Sequence, residues 1–336
     1  MEQAVLGRSG MWVSRLCLGT MMFGKMGNHD HAECERMIHS AFDAGVTFID
    51  TSDTYSWGEA EEIVGRALKG RRDDVVLATK FGNPMGETMN HRGGSRRWIM
   101  REVEASLRRL GTDHIDLYQF HRFDPHTDLE ETIGALTDLV RQGKIRSFGC
   151  SMFPADRIVE AHAISERMGF GRLCCDQSWY SIFSREIERD VLPACRRYGM
   201  GEIVFSPLDN GFLTGRYRAR DDLDGNNRIS YFARRLQGVF DPDDPLYRTK
   251  FAALARLDTI ADDAGLTLIE LAIGFILANA DVTAAIIGPR TPAQLESLLA
   301  AGNTRLSHDV LDAIDAAVPP GSLYNVRLDK VSVRRR

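Results

Sequence analysis

The sequence predicts a closed (β/α)8 barrel, an α/β fold in which eight parallel strands alternate with helices. Two observations favour this fold. Strand-like and helix-like segments alternate along nearly the whole chain, and the strand-like segments are short apolar runs, as expected of parallel strands covered on both faces. A single barrel routinely reaches the length of this chain, 336 residues, so we expect one domain over residues 1–336.

The eight barrel strands can be assigned in order. They are predicted at residues 15–21, 47–52, 75–81, 114–121, 145–152, 173–179, 202–208 and 283–289. Residues with helical periodicity follow each strand. The third helix, for example, places Ile99, Val103 and Leu107 on one face and ends at Gly111, and the helix after the eighth strand begins at Thr291 and Pro292, a suitable N-cap and first helical position.

Three segments are additions to the barrel. Residues 4–14 resemble a small hairpin that turns at 7–10 and caps the barrel floor. A long polar segment at 209–248, followed by a buried helix that includes 271–280, separates the seventh and eighth strands, and a loop of this length is usually functional or mobile. An extra helix at 307–318 precedes a C-terminal tail, 319–336, which ends in three arginines and which we expect to be solvated.

Composition excludes several classes of protein. The net charge of −5 does not favour nucleic-acid binding. No apolar run is long enough for a membrane span, and the first residues do not resemble a secretory signal. The six cysteines contain no CxxC pair, so we expect reduced thiols in a cytoplasmic protein.

Four ionisable side chains follow three consecutive predicted strands. Asp50 lies near the end of the second strand, Tyr55 on the loop after it, Lys80 at the end of the third strand and His121 at the end of the fourth. The carboxyl ends of the strands form the active-site face of a (β/α)8 enzyme. The sequence therefore predicts that these four side chains meet at one rim of the barrel.

These residue types suit proton transfer to an oxygen atom. A free tyrosine, with a pKa of about 10, is a poor acid at neutral pH, but a neighbouring ammonium favours the phenolate and makes the phenol more acidic. Lys80 would supply that ammonium, Asp50 would keep it charged, and Tyr55 would donate the proton while His121 aims a carbonyl by a hydrogen bond.

Each of the four has an ordinary structural explanation when it is taken alone. A lysine that ends a strand is usually solvated, an aspartate there often caps the next helix, and a single histidine is more often a packed rim residue than a catalytic one. Their joint occurrence at successive strand ends favours the functional interpretation.

Three segments that carry these residues resemble the aldo-keto reductases. They are FIDTSDTY at 48–55, ATK at 78–80 and DLYQFH at 116–121. The resemblance extends over residues 6–317. It implies a catalytic tetrad of Asp50, Tyr55, Lys80 and His121, with NADPH bound in an extended form across the barrel mouth.

The same resemblance implies a set of cofactor contacts. These are Gly19, Met21, Ser151, Gln177, Phe205, Ser206, Pro207, Leu208, Gly211, Arg216, Gly288, Arg290, Gln294 and Leu298. Gln177 and Ser151 would hold the nicotinamide carboxamide, residues 206–217 the pyrophosphate, and Arg290 the 2′-phosphate, which favours NADPH over NADH.

The chain departs from the family pattern at three of the expected cofactor positions. Met152 replaces an asparagine beside the nicotinamide, Phe205 replaces a stacking tyrosine, and Leu298 replaces an asparagine near the adenine. The glycines at 19, 24 and 27 do not have the spacing of a Rossmann phosphate loop, so that type of dinucleotide site is not expected.

The sequence gives weaker indications about the substrate. Ser95 is a candidate N-cap of the third helix, and Arg92, Arg96 and Arg97 flank it, which suggests a phosphate or diphosphate on the substrate. The alternative is that these arginines only reach solvent. Several segments also resemble actinobacterial family members that reduce sugar-nucleotide enones in deoxysugar biosynthesis. Aromatic residues that either form the substrate wall or pack in the core are Phe23, Trp57, Trp98, Trp179 and Tyr180.

Three other functions remain open at this stage. The family also contains barrel-shaped potassium-channel β subunits, which would share the tetrad while acting as regulators that bind a cofactor. A metal-dependent hydrolase would use His29, His31, His121 or His126, although no HxH pair lies on a strand. A dehydratase or isomerase would use the cofactor for internal redox chemistry.

Overall fold

A computed structural model of the chain describes residues 1–219, 222 and 245–325. These residues fall into two compact units. The barrel unit comprises Met1–Ser178, Asp190–Phe205 and Ala280–Leu299, and the second unit comprises the described parts of Trp179–Arg189, Ser206–Asn279 and Ala300–Arg336.

Apart from the last residue of one strand, the strands in the described part of the chain lie in the barrel unit. They are β1 (Gln3–Val5), β2 (Trp12–Ser14), β3 (Leu16–Gly19), β4 (Phe48–Asp50), β5 (Val76–Phe81), β6 (Ile115–Phe120), β7 (Ile145–Ser151), β8 (Cys175–Trp179, of which Trp179 belongs to the second unit), β9 (Gly201–Phe205) and β10 (Ala284–Ile287). Strands β3 to β10 pair in chain order, and β10 closes the circle by pairing with both β9 and β3. The predicted (β/α)8 barrel is confirmed.

In the described part of the chain the predicted helices occur in the expected order, together with a helix at Pro245–Asp263 that was not predicted and that takes in the last four residues of the expected polar segment. They are α1 (His31–Asp43), α2 (Glu59–Ala67), α3 (Arg96–Leu110), α4 (Leu129–Arg141), α5 (Ala155–Met168), α6 (Val191–Tyr198), α7 (Pro245–Asp263), α8 (Leu268–Ala278), α9 (Pro292–Ala301) and α10 (His308–Ala317). Helix α3 shows why the sequence pattern succeeds. Its apolar face is buried, the Ser95 side chain accepts a hydrogen bond from the Trp98 amide at its start, and Gly111 ends it in the left-handed conformation with a φ of 63°.

The N-terminal hairpin closes one end of the barrel. Strands β1 and β2 pair antiparallel, as predicted, and Leu6 and Val13 belong to the same apolar cluster as the inward residues Phe48 and Leu117. The turn approaches the starts of β8 and β9 so closely that a Cβ added at Gly7 would lie 2.5 Å from Cys174 O. The opposite end, where the strands finish, is therefore the face available for a site.

The second unit holds the two predicted additional helical regions. Helix α8 begins with a capping box formed by Thr267 and Glu270 and is largely buried, and α10 begins at the N-cap Ser307. The described part of the predicted tail, 319–325, pairs with residues 181–185 of the same unit: the Arg185 amide donates to Ser322 O at 2.7 Å, and the Tyr324 amide donates to Phe183 O at 2.8 Å. The terminal arginines and most of the polar segment, 220–221 and 223–244, lie outside the described residues.

The state of the cysteines and the character of the helices can be compared with what the sequence predicts. All six cysteines have free thiols, and five of the six are buried. In the described ranges, no helix combines the length and apolar character needed to cross a membrane.

Candidate active site

Strand pairing brings the candidate residues to one level of the barrel. Asp50 on β4 is the register partner of Gly19 on β3 and of Ala78 on β5. Lys80 on β5 is the partner of Gln119 on β6. Alternate residues of a strand point to the same face. Lys80 lies two residues after Ala78, the partner of Asp50, so the Lys80 and Asp50 side chains point to the same face and meet inside the barrel mouth.

The Lys80 ammonium is fixed by three acceptors. Its Nζ atom donates to Asp50 Oδ2 at 2.5 Å, to Thr51 O at 2.9 Å and to Tyr55 OH at 3.2 Å. Lys80 is 1% exposed, and burial alone lowers the pKa of a lysine, but the attraction of Asp50 and Tyr55 outweighs burial and raises the pKa of Lys80 above its ordinary value. The site therefore holds a positive charge directly beside the phenol oxygen.

Asp50 is held by two further donors. Gln119 Nε2 donates to Asp50 Oδ1 at 3.2 Å and Gln177 Nε2 donates to the same oxygen at 2.9 Å. Gln177 Nε2 also lies 3.3 Å from Gln119 Oε1. Both carboxylate oxygens of Asp50 thus accept hydrogen bonds, as a buried charge requires.

Tyr55 lies on a short helical turn with an unusual backbone. Ser56 and Trp57, which follow it, have φ values of 50° and 60°, and Gly58 has a φ of 92°. Ser56 Oγ donates to Phe23 O at 2.7 Å and accepts from the Met26 amide at 3.0 Å, so the turn is tied to the loop after β3. These bonds offset the cost of the left-handed residues and fix Tyr55 next to Lys80.

His121 completes the arrangement on the other side of Tyr55. The two rings pack edge to face, with centroids 6.1 Å apart. Burial, together with the charges of Lys80 and Arg122, holds the pKa of His121 well below its usual value, so the ring is neutral at pH 7. A neutral imidazole offers one N–H for a hydrogen bond.

The four residues predicted at the ends of three consecutive strands therefore lie together at that end of the barrel. The sequence interpretation missed Gln119, which links Asp50 to Gln177. A signal for it was present, because Gln119 stands two residues before His121 and a polar side chain on that face of an apolar strand points into the barrel.

The expected cofactor residues of the barrel unit form two groups. Near Asp50, Ser151 Oγ donates to Gln177 O at 2.8 Å, and Gln177 directs its amide hydrogens to Asp50 and Gln119. Ser151 Oγ and Gln177 Oε1 can thus accept hydrogen bonds from the NH2 group of a carboxamide. Phe205 is half-buried at the end of β9, Met21 is half-buried, and Gly19 lies in β3 where a Cβ would meet Ile286 at 2.5 Å.

The other group surrounds the start of α9. The Arg290 amide donates to Gln294 Oε1 at 2.8 Å, and Arg290 O accepts from Asn28 Nδ2 at 3.0 Å, while the Arg290 side chain is exposed. Gly288 is exposed with open space around it, and Leu298 is buried in the helix packing. Arg290 therefore has a fixed backbone and an accessible guanidinium.

The remaining expected contacts lie in the second unit, on the segment after β9. Ser206 and Gly211 have φ values of 55° and 100°, Pro207 is buried, Leu208 is half-buried and Arg216 is exposed. This segment is anchored within its unit by a buried ion pair between Asp209 and Lys250, and Asn325 Nδ2 donates to Asp209 Oδ1 at 2.7 Å.

The N-terminus of α3 does not support the predicted phosphate site. The Arg96 amide donates to Glu131 Oε1 at 2.9 Å and the Gly94 amide donates to Asp124 Oδ2 at 2.9 Å. The Arg96 guanidinium lies 2.6 Å from Asp138 Oδ2. Carboxylates of the chain itself thus occupy the donors that a bound phosphate would use, and the Arg96 guanidinium is already paired.

The aromatic candidates divide between core and surface. Phe23, Trp98 and Tyr180 are at most 3% exposed, and Trp179 is 9% exposed, so these four pack in the interior. Trp57 is 63% exposed. Trp57, two residues after Tyr55, is the aromatic residue of this set that remains accessible to a substrate.

Metal ligation has no support in the described part of the chain. There, no group of three or more histidine, cysteine or carboxylate side chains is arranged to hold a metal ion. His31, one of the residues considered for a metal site, is instead 2.7 Å from Glu59 Oε1 and 3.0 Å from the Arg66 guanidinium.

A (β/α)8 barrel with a buried Asp–Lys pair, a tyrosine and a neutral histidine at its strand ends defines the class of oxidoreductases that carry out carbonyl chemistry on a barrel. The family model described as "Aldo/keto reductase family" matches residues 15–319. The chain belongs to the aldo-keto reductase family and is an oxidoreductase.

Curated relatives are similar to this chain over nearly their full lengths. The uncharacterized oxidoreductase YrpG of Bacillus subtilis is 36% identical over 333 residues, which cover 96% of this chain and 97% of the relative. The aldo-keto reductase YhdN of the same organism is 34% identical and covers 89% of this chain and 88% of its own length. A protein of Oryza sativa subsp. japonica named "Probable voltage-gated potassium channel subunit beta" is 33% identical, over 95% of this chain and 97% of its own.

Proposed function

We propose that this chain is a cytoplasmic, NADPH-dependent reductase of aldehydes, ketones or carbonyl-activated double bonds, with Tyr55 as the proton donor. The observation that carries the proposal is the 3.2 Å contact between Lys80 Nζ and Tyr55 OH, in a lysine whose other two hydrogens are already bonded to Asp50 and Thr51. A nicotinamide cofactor, when bound, supplies the hydride.

Tyr55 acts as a general acid in this proposal. The Lys80 ammonium stabilises the phenolate that remains after the proton leaves, since the charges are opposite and the pair is shielded from solvent. Asp50 keeps Lys80 charged and oriented, and it does not itself exchange a proton with the substrate. The proton passes from Tyr55 OH to the substrate oxygen as the carbonyl carbon is reduced.

His121 orients the substrate. Its ring is neutral, lies edge to face with Tyr55, and is close enough to the same space to donate one hydrogen bond to a carbonyl oxygen. A donor at that position stabilises negative charge as it develops on the oxygen.

The nicotinamide end of the cofactor fits the acceptors near Asp50. Ser151 Oγ and Gln177 Oε1 would accept hydrogen bonds from the carboxamide NH2 group, and the ring of Phe205 would stack on the nicotinamide. Met152 brings no side-chain donor for the carboxamide oxygen, so this end is held by fewer bonds than an asparagine would allow.

The residues proposed to contact the 2′-phosphate would give a preference for NADPH. Arg290 is exposed at the start of α9, with its backbone fixed by Gln294 and Asn28. A guanidinium there would pair with the 2′-phosphate. Ser206, Pro207, Leu208, Gly211 and Arg216 are the proposed pyrophosphate contacts.

The substrate in this proposal is a small carbonyl compound, and a sugar or sugar nucleotide is the candidate to test first. The resemblance to members that reduce sugar-nucleotide enones supports it. Trp57, exposed beside Tyr55, offers an aromatic surface on which a sugar ring or a base could pack.

The decisive experiment follows NADPH oxidation with aldehydes, ketones, pyridoxal and nucleotide-sugar enones. Tyr55→Phe removes the acidic hydroxyl and leaves the ring, so kcat should fall about 10²–10⁴-fold. Tyr118→Phe is the matched control, since Tyr118 is buried and no described residue bonds its hydroxyl. Wild-type rates in Tyr55→Phe would overturn the assignment of the proton donor.

A regulatory cofactor-binding subunit is the second candidate, favoured by the similarity to the rice protein named as a channel β subunit. Pre-steady-state measurement separates the two functions. An enzyme should oxidise NADPH through many turnovers, whereas a regulatory subunit should oxidise one bound equivalent and then stop.

A further inference from the structure

The segment that carries most of the proposed pyrophosphate contacts consists of tight turns with a costly backbone conformation. Ser206, Asp209 and Asn210 have φ values of 55°, 49° and 56°, and Gly211 has a φ of 100°. Residues other than glycine adopt this left-handed region at a cost in free energy and keep it only where the surrounding structure holds them there. Two local hydrogen bonds close the turns: the Asp209 amide donates to Ser206 O at 2.8 Å, and the Gly211 amide donates to Leu208 O at 2.9 Å.

The Asp209 side chain attaches these turns to other parts of the second unit. Its carboxylate forms an ion pair with Lys250 of α7, and Oδ1 accepts a hydrogen bond from Asn325 Nδ2 at 2.7 Å. The Lys250 ammonium also lies 4.0 Å from the centre of the Phe212 ring, in the same segment as Asp209. Asp209 and Lys250 are at most 1% exposed, so these protein groups take the place of water around both charges.

Asn325 uses all the polar atoms of its side chain in this network. Its Oδ1 atom accepts from Lys250 Nζ at 2.6 Å, and its Nδ2 atom donates to Ser184 Oγ at 2.6 Å as well as to Asp209. The amide oxygen must face the ammonium and the amide hydrogens must face the two oxygen acceptors, so the orientation of Asn325 is fixed. Asn325 thus contacts both members of the buried ion pair.

The chain before Asn325 is itself paired with another segment of the same unit. Leu323 and Ser184 form an isolated antiparallel bridge, and the Tyr324 ring stacks on Phe183 with centroids 6.1 Å apart. Asn325 therefore reaches Asp209, 116 residues away in the sequence, from the end of a tail that main-chain and ring contacts hold in place.

A charged network is a costly way to stabilise a fold. A buried ion pair contributes little relative to well-packed apolar residues, because both ions lose their water. Its hydrogen bonds are directional, however, and each partner satisfies them in a narrow range of positions. The position restrained here is that of Asp209, which lies between Leu208 and Gly211, two of the proposed pyrophosphate contacts.

We propose that Asn325 is a positioning residue for the cofactor, which acts through Asp209 and Lys250 to hold residues 206–211 in the conformation that binds the pyrophosphate. The inference rests on the proposed function, which assigns the pyrophosphate to this segment. Asn325 does not touch the cofactor in this scheme. Detachment of the C-terminal tail would weaken the binding of NADPH and NADH alike, since both contain the pyrophosphate.

Asn325→Leu tests the proposal, because leucine has a similar size and makes no hydrogen bonds. In calorimetric titrations, the Kd values of NADPH and NADH should rise by the same factor, on the order of 10-fold, as when a hydrogen bond to a charged group is lost. Adenosine 2′-monophosphate, which has the 2′-phosphate but no pyrophosphate, should keep its Kd, and kcat at saturating NADPH should not fall. An unchanged Kd of NADPH would overturn the proposal, and so would an equal loss for adenosine 2′-monophosphate, which would indicate general damage.

An exchange of two side chains provides a second test if Asn325→Leu does not fold. Asp209→Asn alone leaves Lys250 without a carboxylate, and Asn325→Asp alone places two carboxylates against one ammonium, so each should weaken NADPH binding at least 10-fold, roughly. In Asp209→Asn/Asn325→Asp, Lys250 again faces one carboxylate and one amide, and asparagine tolerates a left-handed φ. Most of the affinity should return. A double variant as weak as the weaker single variant would contradict the proposal.

Two comparisons separate this inference from the proposed function. Asn303→Leu, at an exposed position of the same unit, should bind both dinucleotides as the wild type does. Wild-type rates in Tyr55→Phe would reject the proposed proton donor and leave the affinities valid, whereas the expected loss in Tyr55→Phe with wild-type affinity in Asn325→Leu would reject the role of Asn325 alone. A wild-type protein that binds neither dinucleotide would reject both.

Discussion

Lys80 Nζ lies 2.5 Å from Asp50 Oδ2, and both side chains are at most 3% exposed. Such a buried pair contributes little net stability relative to apolar residues, because desolvation offsets the attraction, but removal of one partner leaves an uncompensated charge. Asp50 would retain the hydrogen bonds from Gln119 and Gln177, which lessen that cost. The pair therefore serves chiefly to keep a positive charge beside Tyr55.

Lys80→Met should reduce the free energy of unfolding by about 3–5 kcal/mol, because it leaves the Asp50 carboxylate without its cation. The double variant Lys80→Met/Asp50→Asn should recover part of that loss, since neither charge of this pair remains, but should stay inactive. Urea unfolding and NADPH-linked turnover measure the two effects. Recovery of turnover in the double variant would show that the ammonium is not needed for proton donation.

Arg290→Ala should weaken NADPH binding about 10–100-fold, the effect of losing a charge-assisted hydrogen bond worth about 1.5–3 kcal/mol. NADH lacks the 2′-phosphate, so its Kd should change little. Titration of each cofactor against protein fluorescence gives both constants. Arg290→Lys, which keeps the charge but not the paired N–H donors, should lie between the two; an equal loss of NADPH and NADH affinity would place the 2′-phosphate elsewhere.

Arg96→Ala should change the KM of phosphorylated and neutral carbonyl substrates by the same small factor. The reason is that the Arg96 guanidinium is already paired with Asp138, while the Arg96 amide donates to Glu131 and the Gly94 amide before the helix donates to Asp124. Parallel kinetics with a sugar phosphate and its unphosphorylated counterpart check this. A selective rise in KM for the phosphorylated substrate would support a phosphate site at the start of α3.

The barrel and the positions of the candidate tetrad could be predicted because both depend on local patterns. Apolar strands and amphipathic helices are visible within short windows, and parallel strands in chain order bring Asp50, Lys80 and His121 to one end by topology alone. No long-range contact has to be known in advance. The pairing of Arg96 could not be predicted for the opposite reason, since its partner Asp138 lies 42 residues away.

The buried charges could not be predicted from sequence. Glu61 and Glu102 occupy helices α2 and α3, where the sequence resembles a solvated charged face, yet both are buried. Their common partner Arg109 is 48 residues from Glu61. A carboxylate on a helix is ordinarily solvated, so only the packing of α2 against α3 reveals that these two are not.

A second pair of buried acids makes stability depend on pH. Asp176 on β8 accepts hydrogen bonds from Ser178 Oγ at 2.5 Å and from Cys150 Sγ at 3.1 Å, and Glu202 on β9 accepts from Cys195 Sγ at 3.6 Å. Burial raises the pKa of Asp176 from 3.8 to about 6, although the hydrogen bonds it accepts from Ser178 and Cys150 act in the opposite direction. Burial and the nearby Asp176 raise the pKa of Glu202 as well.

Asp176→Asn should therefore flatten the pH dependence of unfolding. A folded-state pKa above the unfolded value means that the folded protein binds the proton more tightly, so this contribution to stability is complete below about pH 4 and is lost as the pH rises to about 6. The loss is on the order of 3 kcal/mol. Thermal unfolding from pH 4 to pH 8 should show the variant gaining several degrees in Tm relative to wild type as the pH rises. Asp113→Asn is the control without a slope, because hydrogen bonding to His114 lowers the pKa of this exposed carboxyl from 3.8, so it is ionised in the folded state over the whole scan. A constant difference in Tm between Asp176→Asn and wild type at every pH would mean that Asp176 is ionised throughout.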